Sequence, residues 1–249
     1  MTGFGAFVFG DEILVGKRQD KHFPWLIEAL GKRGLRLAWC EHLGDEPARV
    51  ALALKRSFAG DDVVFCFGGI GATPDDHTRQ CAAEALGVEL ALHPDAEAEI
   101  RGRFGAETNP QRLKMGEFPV GSRIIPNPFN RIPGFSVRDH HFVPGFPQMA
   151  WPMLEWVLDT KYAHLVDRDR WQEASIVVLE APESELVAVM ETVGGRFAGV
   201  KVFSLPSMSD DGRRRHVELG VRGDPSQVSE AMSLLCAAVR EAGYVFREP

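Results

Sequence analysis

The sequence of 249 residues has little cysteine, and its four cysteines form no pattern that is typical of a zinc module. None of them belongs to a CxxC pair, and their spacings match no zinc-site template. The residues concerned are Cys40, Cys66, Cys81 and Cys236. We therefore expect free, reduced thiols, as in a cytoplasmic protein.

Long apolar runs are also missing. No stretch approaches the 18 consecutive apolar residues that a membrane-spanning helix needs. Residues 1–10 lack the basic start and the long apolar centre of a signal peptide. The sequence therefore predicts no contact with a membrane and a cytoplasmic location.

Positive charge is scarce, with a formal net charge of −7. An acidic chain repels phosphate backbones, which argues against a general nucleic-acid-binding protein. The dense basic run is Arg213-Arg214-Arg215. We interpret this run as a solvated loop, and a small anion-binding patch is the alternative.

Short apolar runs alternate with helical spacing in the first half of the chain. Residues 5–9, 35–43 and 63–67 predict buried strands, and the segments between and after them predict helices. This alternation favours an α/β domain with a mostly parallel sheet over residues 1–160. After a polar linker at 159–171, the order strand, helix, strand, strand, helix predicts a small α+β domain over residues 172–249.

Three glycine-containing loops follow the predicted strands, at Gly10, Gly44 and Gly68. In open parallel sheets, ligands bind outside the carboxyl ends of the strands. We therefore expect these loops to share one edge of the sheet and to form a ligand site there.

The strongest local signal is the segment GGIGATPDDHT at residues 68–78, between a buried strand and a predicted helix over 76–86. Glycines let the backbone approach a phosphate closely, and N–H groups at a helix start attract anions. The segment matches neither a Walker A loop nor the GxGxxG pattern. We predict that the phosphate-binding residues are Gly68, Gly69, Gly71, Thr73, Asp75 and Thr78, together with Gly145.

Carboxylates beside such a loop would repel a phosphate unless a metal ion lies between them. A carboxylate plus phosphate oxygens is the usual way in which proteins hold Mg²⁺. We predict that Asp76, Asp45 and Asp11 hold the metal, and that Asp76 and Asp45 are catalytic. The alternatives are that Asp75 or Asp76 caps the following helix, and that Asp45 caps the helix that begins near Pro47.

Five segments together resemble signatures of the competence/damage-inducible protein A (CinA) family. Their order and spacing agree with that family over about residues 4–156. The segments are GDEILVG (10–16), LGDEPAR (43–49), GGIGATPDDHT (68–78), NPFNRIPG (127–134) and PGFPQMA (144–150). In the family they correspond to GDELLxG, VGDDPxR, GGLGPTxDDxT, NPxGxAPG and PGVPxEM.

The resemblance implies a fold. The first domain is similar to the molybdopterin-binding (MoaB/Mog-like) fold, which is a three-layer α/β/α sandwich. The second resembles the small KH-like domain of CinA-type proteins, although residues 193–196 (VGGR) do not match the GXXG loop of RNA-binding KH domains. We expect no amidase domain and therefore no amidase activity.

Several positions depart from the family pattern, among them Ile70, where the family often has leucine, and three others that bear on the site. Ala72 stands where the family usually has proline, Asn130 where it has glycine, and Met149 where it has glutamate. The changes at Ile70 and Ala72 are mild. The missing glutamate argues against hydrolysis more than against binding.

The resemblance also implies two alternative functions. The first is a pyrophosphatase that uses a divalent metal (Mg²⁺, Mn²⁺, Co²⁺ or Ni²⁺) and acts on ADP-ribose- or FAD-like nucleotides. The second is a non-catalytic molybdopterin-binding protein, or a protein of molybdenum-cofactor biosynthesis. In both cases the partner is a small nucleotide or pterin, and the resemblance suggests a homo-oligomer, either a dimer or a trimer.

Overall fold

Two units make up the chain in the computed structural model, which describes residues 3–167, 171–208 and 215–249. The units are Met1–Val166 and Asp167–Pro249, so their boundary lies inside the predicted linker at 159–171. Arg213, Arg214 and the side chain of Arg215 lie outside the described residues, and the interpretation of this basic run stays a prediction.

The first unit contains the alternation of strands and helices that the sequence predicts. Its strands are β1 (Phe4–Phe9), β2 (Leu37–Leu43), β3 (Val63–Phe67), β4 (Leu90–Leu92), β5 (Glu117–Pro119), β6 (Arg123–Ile125), β7 (Gly134–Val137) and β8 (His140–Val143). Its helices are α1 (Asp11–Leu14), α2 (His22–Gly31), α3 (Pro47–Phe58), α4 (Thr78–Leu86), α5 (Pro94–Phe104), α6 (Pro110–Leu113) and α7 (Pro147–Lys161). Proline opens α3, α5, α6 and α7, where its missing N–H costs no helical hydrogen bond.

The main sheet has the order β2-β1-β3-β8-β7-β6. The first four strands run parallel, and β7 is antiparallel to both of its neighbours. Val8 pairs with His42 on one side and with Phe67 on the other, so these strands end level with one another. A separate antiparallel pair of β4 and β5 was not predicted.

Both faces of the main sheet are buried. Ala6 and Val8 of β1 pack with α2 and α7, and Phe7 and Phe9 pack on the other side with α3, α4 and α5. This follows from the period of two along a strand, which explains why β1 is apolar at every position. Each fully buried phenylalanine contributes on the order of 2 kcal/mol of hydrophobic stabilisation. The predicted three-layer α/β/α sandwich is confirmed.

The second unit is a four-stranded antiparallel sheet covered by two helices. It consists of β9 (Gln172–Leu179), α8 (Val187–Arg196), β10 (Val200–Met208), β11 (Arg215–Gly223), α9 (Pro225–Glu241) and β12 (Phe246–Arg247). The strand order is β10-β11-β9-β12, and Val193 and Leu235 of the helices pack on Val178 and Leu219. The predicted α+β class is confirmed, whereas β12 was not predicted. No helix in the described ranges is long and apolar enough to cross a membrane.

Two adjacent histidines on β8, His140 and His141, are buried. His141 contacts the Ser136 hydroxyl through Nδ1 at 2.8 Å and the Tyr162 hydroxyl through Nε2 at 2.7 Å. His140 contacts Ser57 Oγ through Nε2 at 2.7 Å. Burial lowers the pKa of His140 to about 3, so this ring is neutral near neutral pH.

The buried His140 makes the free energy of unfolding depend on pH. Between its ordinary pKa of 6.5 and the folded value of about 3, only the unfolded chain binds a proton, so stability falls as the pH falls. This effect amounts to ~1.4 kcal/mol per pH unit. We expect His140→Gln, which is uncharged at every pH, to lose less stability than the wild type between about pH 6 and pH 4. Urea unfolding measures this difference, and equal slopes would contradict it.

Candidate ligand-binding site

Four parallel strands end at one edge of the main sheet, and their loops meet there. β1 leads to Gly10, β2 to Gly44, β3 to Gly68 and β8 to Pro144. The backbone N–H of Gly10 donates to the Leu43 carbonyl at 3.0 Å, and that of Gly68 donates to the Val143 carbonyl at 3.0 Å. The loops that were predicted to share one edge do so.

A cavity of about 400 Å³ opens between these loops. Of the predicted phosphate-binding residues, Gly68, Gly69, Gly71, Thr73, Asp75 and Gly145 line it. Asp45 and Asp76 line it as well. The volume lies within the range of pockets that bind small molecules.

Only glycine fits at the two positions that follow β3, because of the backbone conformation there and because neighbouring atoms lie close. Gly68 and Gly69 have φ of 97° and 68°, which is the left-handed region. A Cβ on Gly68 would lie 2.7 Å from the Phe9 carbonyl oxygen, and one on Gly69 would lie 2.1 Å from Thr78 Oγ1. Any side chain here would push the loop away from the sheet.

Thr78 does not reach the cavity. It is 3% exposed, and its backbone N–H donates to the Gly69 carbonyl at 3.0 Å. Helix α4 begins at this residue, two positions after the predicted start at Asp76. The predicted contacts of a phosphate with the Thr78 hydroxyl and with this helix start therefore have no support in the fold.

Asp76 forms hydrogen bonds within the loop at residues 68–76, which we call the glycine loop. Its Oδ2 accepts the Thr73 backbone N–H at 2.9 Å and the Thr73 hydroxyl at 2.6 Å. The start of α4 has no side-chain cap, so the alternative that Asp75 or Asp76 caps this helix is wrong. The loop residues between Thr73 and Asp76 form a local turn instead, which keeps the carboxylate at the cavity wall.

Asp11 and Asp45 connect the first two loops through reciprocal hydrogen bonds. The Asp11 backbone N–H donates to Asp45 Oδ2 at 3.0 Å, and the Asp45 N–H donates to Asp11 Oδ1 at 3.2 Å. Only Asp45 lines the cavity, so Asp11 is placed to position Asp45 rather than to touch a ligand. Glu46 rather than Asp45 precedes α3, and no side chain caps that helix. The predicted N-cap role of Asp45 is therefore wrong.

Negative charge dominates the cavity. Its described lining contains four carboxylates, from Glu12, Asp45, Asp75 and Asp76, but only one cationic side chain, that of Arg18. Burial raises the pKa of Asp45, and the nearby carboxylates of Asp11, Glu12 and Asp75 raise it further. A phosphate would therefore meet repulsion here unless a cation accompanied it.

A metal ion fits this cavity only as the partner of a ligand. Within residues 3–167, 171–208 and 215–249, no three His, Cys, Asp or Glu side chains form a group that could hold a metal. Asp45 and Asp76 can each offer carboxylate oxygens at the cavity wall. Mg²⁺ is commonly held by one or two carboxylates together with substrate phosphates, so this set suits a cation that arrives with a phosphate.

The sequence analysis missed Arg79, whose buried side chain forms a hydrogen bond to the glycine loop. The side chain is 2% exposed. Its NH2 group donates to the Gly71 carbonyl at 2.6 Å, and its NH1 group donates to the carbonyls of Lys114 and Glu117. Arg79 thereby joins the loop to the segment that carries Met115, another cavity residue. An arginine in the first turn of a helix looks solvated in sequence, and no signal there could have shown this role.

His22 positions the fourth loop and was also missed. The ring stacks on Phe67 at 4.3 Å and Nε2 contacts the Gly145 carbonyl at 3.1 Å, while Trp151 Nε1 donates to Nδ1 at 3.3 Å. Because Nδ1 accepts, Nε2 carries the proton and donates to Gly145. Burial lowers the pKa of His22, which favours this neutral form. Trp151 is a packing residue and stacks on Trp25.

We expect Arg79→Lys to loosen the glycine loop, because a lysine ammonium cannot bond three carbonyls in the fixed geometry of a guanidinium. The free energy of unfolding should fall by about 1–3 kcal/mol. Hydrogen exchange measured by mass spectrometry should become faster at residues 68–76. As a control, Arg101→Lys alters an exposed ion pair with Glu97 on α5 and should leave both quantities unchanged. Unchanged exchange in Arg79→Lys would contradict the supporting role.

We expect Asp45→Asn to stabilise the protein near neutral pH. A carboxyl group whose folded pKa is raised costs stability as the pH rises through and above its ordinary value. An asparagine oxygen can still accept the Asp11 N–H, so the loop contact is kept. Thermal unfolding should show a higher Tm for the variant at pH 7 than for the wild type, with a smaller difference near pH 4. A lower Tm at pH 7 would contradict this.

Comparisons with known proteins agree with the geometry of the first unit. Residues 5–164 match a family described as "Probable molybdopterin binding domain". A CinA-like protein of Anaeromyxobacter sp. is 36% identical over 52% of this chain and 32% of its own length. One from Citrifermentans bemidjiense is 32% identical over 73% of this chain and 45% of its own length. The chain thus spans less than half the length of these relatives.

Among solved structures, the protein CinA of Thermoplasma acidophilum, whose function is described as unknown, is 27% identical. The alignment covers 64% of this chain and 98% of that one, with a TM-score of 0.58. The resemblance to CinA-type proteins that the five segments indicate is confirmed. The chain belongs to the family of probable molybdopterin binding domains, and it is similar to CinA-like proteins.

Proposed function

We propose that the first unit is a divalent-metal-dependent pyrophosphatase that acts on nucleotides with a diphosphate bridge, such as ADP-ribose or FAD. One observation carries this proposal: a glycine loop in left-handed conformation and two aspartates, Asp45 and Asp76, line the same cavity. The loop suits a phosphate, and the carboxylates suit the cation that a phosphate needs here.

Binding is the first part of the proposal. Gly68 and Gly69 leave the backbone bare at the end of β3, so a diphosphate can approach it closely. Arg18 supplies the positive side chain of the described lining, which is too little to balance four carboxylates. A diphosphate bound together with a metal ion removes this imbalance.

Asp45 and Asp76 would hold the metal, which when bound would polarise a phosphoryl oxygen and lower the pKa of a water molecule. In hydrolysis the water oxygen bonds to one phosphorus, the bridging P–O bond breaks, and the water proton must go to a base. Asp45 and Asp76 both line the cavity, so their carboxylates are the groups placed to accept it. Asp76 keeps the loop closed through Thr73 while its other oxygen stays available.

A second candidate is binding of a pterin or nucleotide phosphate without turnover. Met149 lines the cavity at the position where the CinA-type pattern has glutamate, and a thioether can neither take a proton nor hold Mg²⁺ well. The lack of a preformed group of three metal-binding side chains among the described residues also favours this candidate. The family description, probable molybdopterin binding domain, agrees with a pterin ligand.

The test is the release of AMP from ADP-ribose and FAD with Mg²⁺, Mn²⁺, Co²⁺ or Ni²⁺, and with chelator. We expect metal-dependent release by the wild type and a loss of at least about 100-fold in Asp45→Asn and Asp76→Asn. Asparagine at position 76 can still accept the Thr73 N–H, so the loop remains closed. Asp95→Asn, an exposed aspartate in the first turn of α5, is the matched control.

The outcomes separate the two candidates. Turnover that both site variants lose and the control keeps supports the pyrophosphatase. No turnover with any metal, together with metal-dependent binding of ADP-ribose in calorimetry, moves the conclusion to a binding protein. Absence of turnover, together with no binding of ADP-ribose or of a pterin, would contradict both candidates.

A further inference from the structure

We infer that Asn130 selects the ligand by donating a hydrogen bond to an acceptor atom at the edge of its heteroaromatic ring. The inference rests on the proposed function in one respect, because it places the ring of the bound nucleotide or pterin in the cavity. Its basis is the environment of Asn130 and Met149, which both line the cavity.

The orientation of the Asn130 amide follows from its contacts. The Ile132 backbone N–H donates to Asn130 Oδ1 at 2.9 Å. A backbone N–H can only donate, so the oxygen must face Ile132 and the NH₂ group must face the other way. The two N–H donors of this side chain are therefore fixed on the side of Met149.

Those donors have a poor partner. Asn130 Nδ2 lies 3.5 Å from Met149 Sδ, and no other acceptor contacts it within the part of the chain that the structure describes. A thioether sulfur is a weak acceptor. A ring nitrogen or a ring carbonyl of a ligand is a stronger acceptor. A hydrogen bond from Asn130 to such an atom would therefore replace only the weak contact with Met149 Sδ.

The turn that carries Asn130 is held rigidly. Asn127 donates from Nδ2 to the Ile132 carbonyl at 2.9 Å and accepts the Phe129 backbone N–H at 3.0 Å. The Arg131 backbone N–H donates to the Asn127 carbonyl at 3.0 Å. Asn130 therefore needs little reordering to meet a ligand, which favours its use as a recognition group.

The same cavity offers an apolar surface for a planar ring. Phe146 lines it and is 48% exposed, although it is a large apolar side chain. Aromatic side chains commonly stack on nucleotide bases and on similar rings. The class of ligand that fits these features is a phosphate ester with a planar heteroaromatic ring that has an acceptor atom at its edge. Purines and pterins share that chemistry.

Asn130→Asp tests the inference with the smallest change. It keeps an oxygen for the Ile132 N–H and removes both N–H donors. Calorimetry on the full chain with Mg²⁺ would compare AMP, ribose 5-phosphate, adenine and pterin. We expect AMP to bind about tenfold or more weakly to the variant. Ribose 5-phosphate lacks the heteroaromatic ring and senses only the added charge, so its affinity should fall by clearly less than that of AMP.

A matched control is Asn109→Asp. Asn109 accepts the Arg112 N–H with its side chain, as Asn130 does with Ile132, but it does not line the cavity. The control adds the same charge and should leave the affinity for AMP unchanged. Comparison of the two free bases shows which ring the site prefers.

The results distinguish this inference from the proposed function. Equal AMP affinity of the wild type and Asn130→Asp would overturn the role of Asn130, even if phosphate binding is retained. Equal weakening for AMP and ribose 5-phosphate would also overturn it, since charge alone would then explain the effect. If the wild type binds no ring compound, the inference fails. If it binds adenine or pterin but no phosphate, only the proposed function fails.

Discussion

The parallel pairing of β3 with β1 and β8 is the constraint on which the rest of the first unit depends. Because these strands run in one direction and end level with one another, their following loops meet at one edge of the sheet. The glycine loop, the Asp11–Asp45 pair and the Pro144–Phe146 segment converge at that edge for this reason. A shift by one residue in β3 would exchange its two faces, so that Phe65 and Cys66 would each pack against the wrong helical layer.

Around that edge, side chains that touch no ligand determine the shape of the cavity. Arg79 holds the glycine loop through carbonyl groups, His22 holds Gly145, and Asp11 holds Asp45. Such contacts fix a binding site in advance, which lowers the entropy that a ligand must lose on binding. The cost is electrostatic, because Asp45 stays close to other carboxylates and its pKa is raised.

The local sequence pattern was sufficient to predict those features that a single helix, strand or turn determines. The buried strand at 63–67, the prolines that open helices, and the glycine pair at 68–69 follow from the properties of single residues and their near neighbours. The local pattern was insufficient where two segments compete for the same side chain. The start of α4 was placed at Asp76, but the Thr73–Asp76 turn takes that carboxylate and the helix begins at Thr78.

The sequence by itself determined the fold class, the family resemblance and the glycine loop, because apolar periodicity and glycine conformation are properties of short segments. Only the tertiary structure decided which of the predicted site residues reach the cavity: Asp45 and Asp76 line it, Asp11 supports Asp45, and Thr78 is buried. Arg79 and Asn130 belong to the same class of findings. Arg79 contacts carbonyl groups that lie elsewhere along the chain, and the contacts of Asn130 depend on the conformation of its turn. The distances between these groups are set only when the chain has folded.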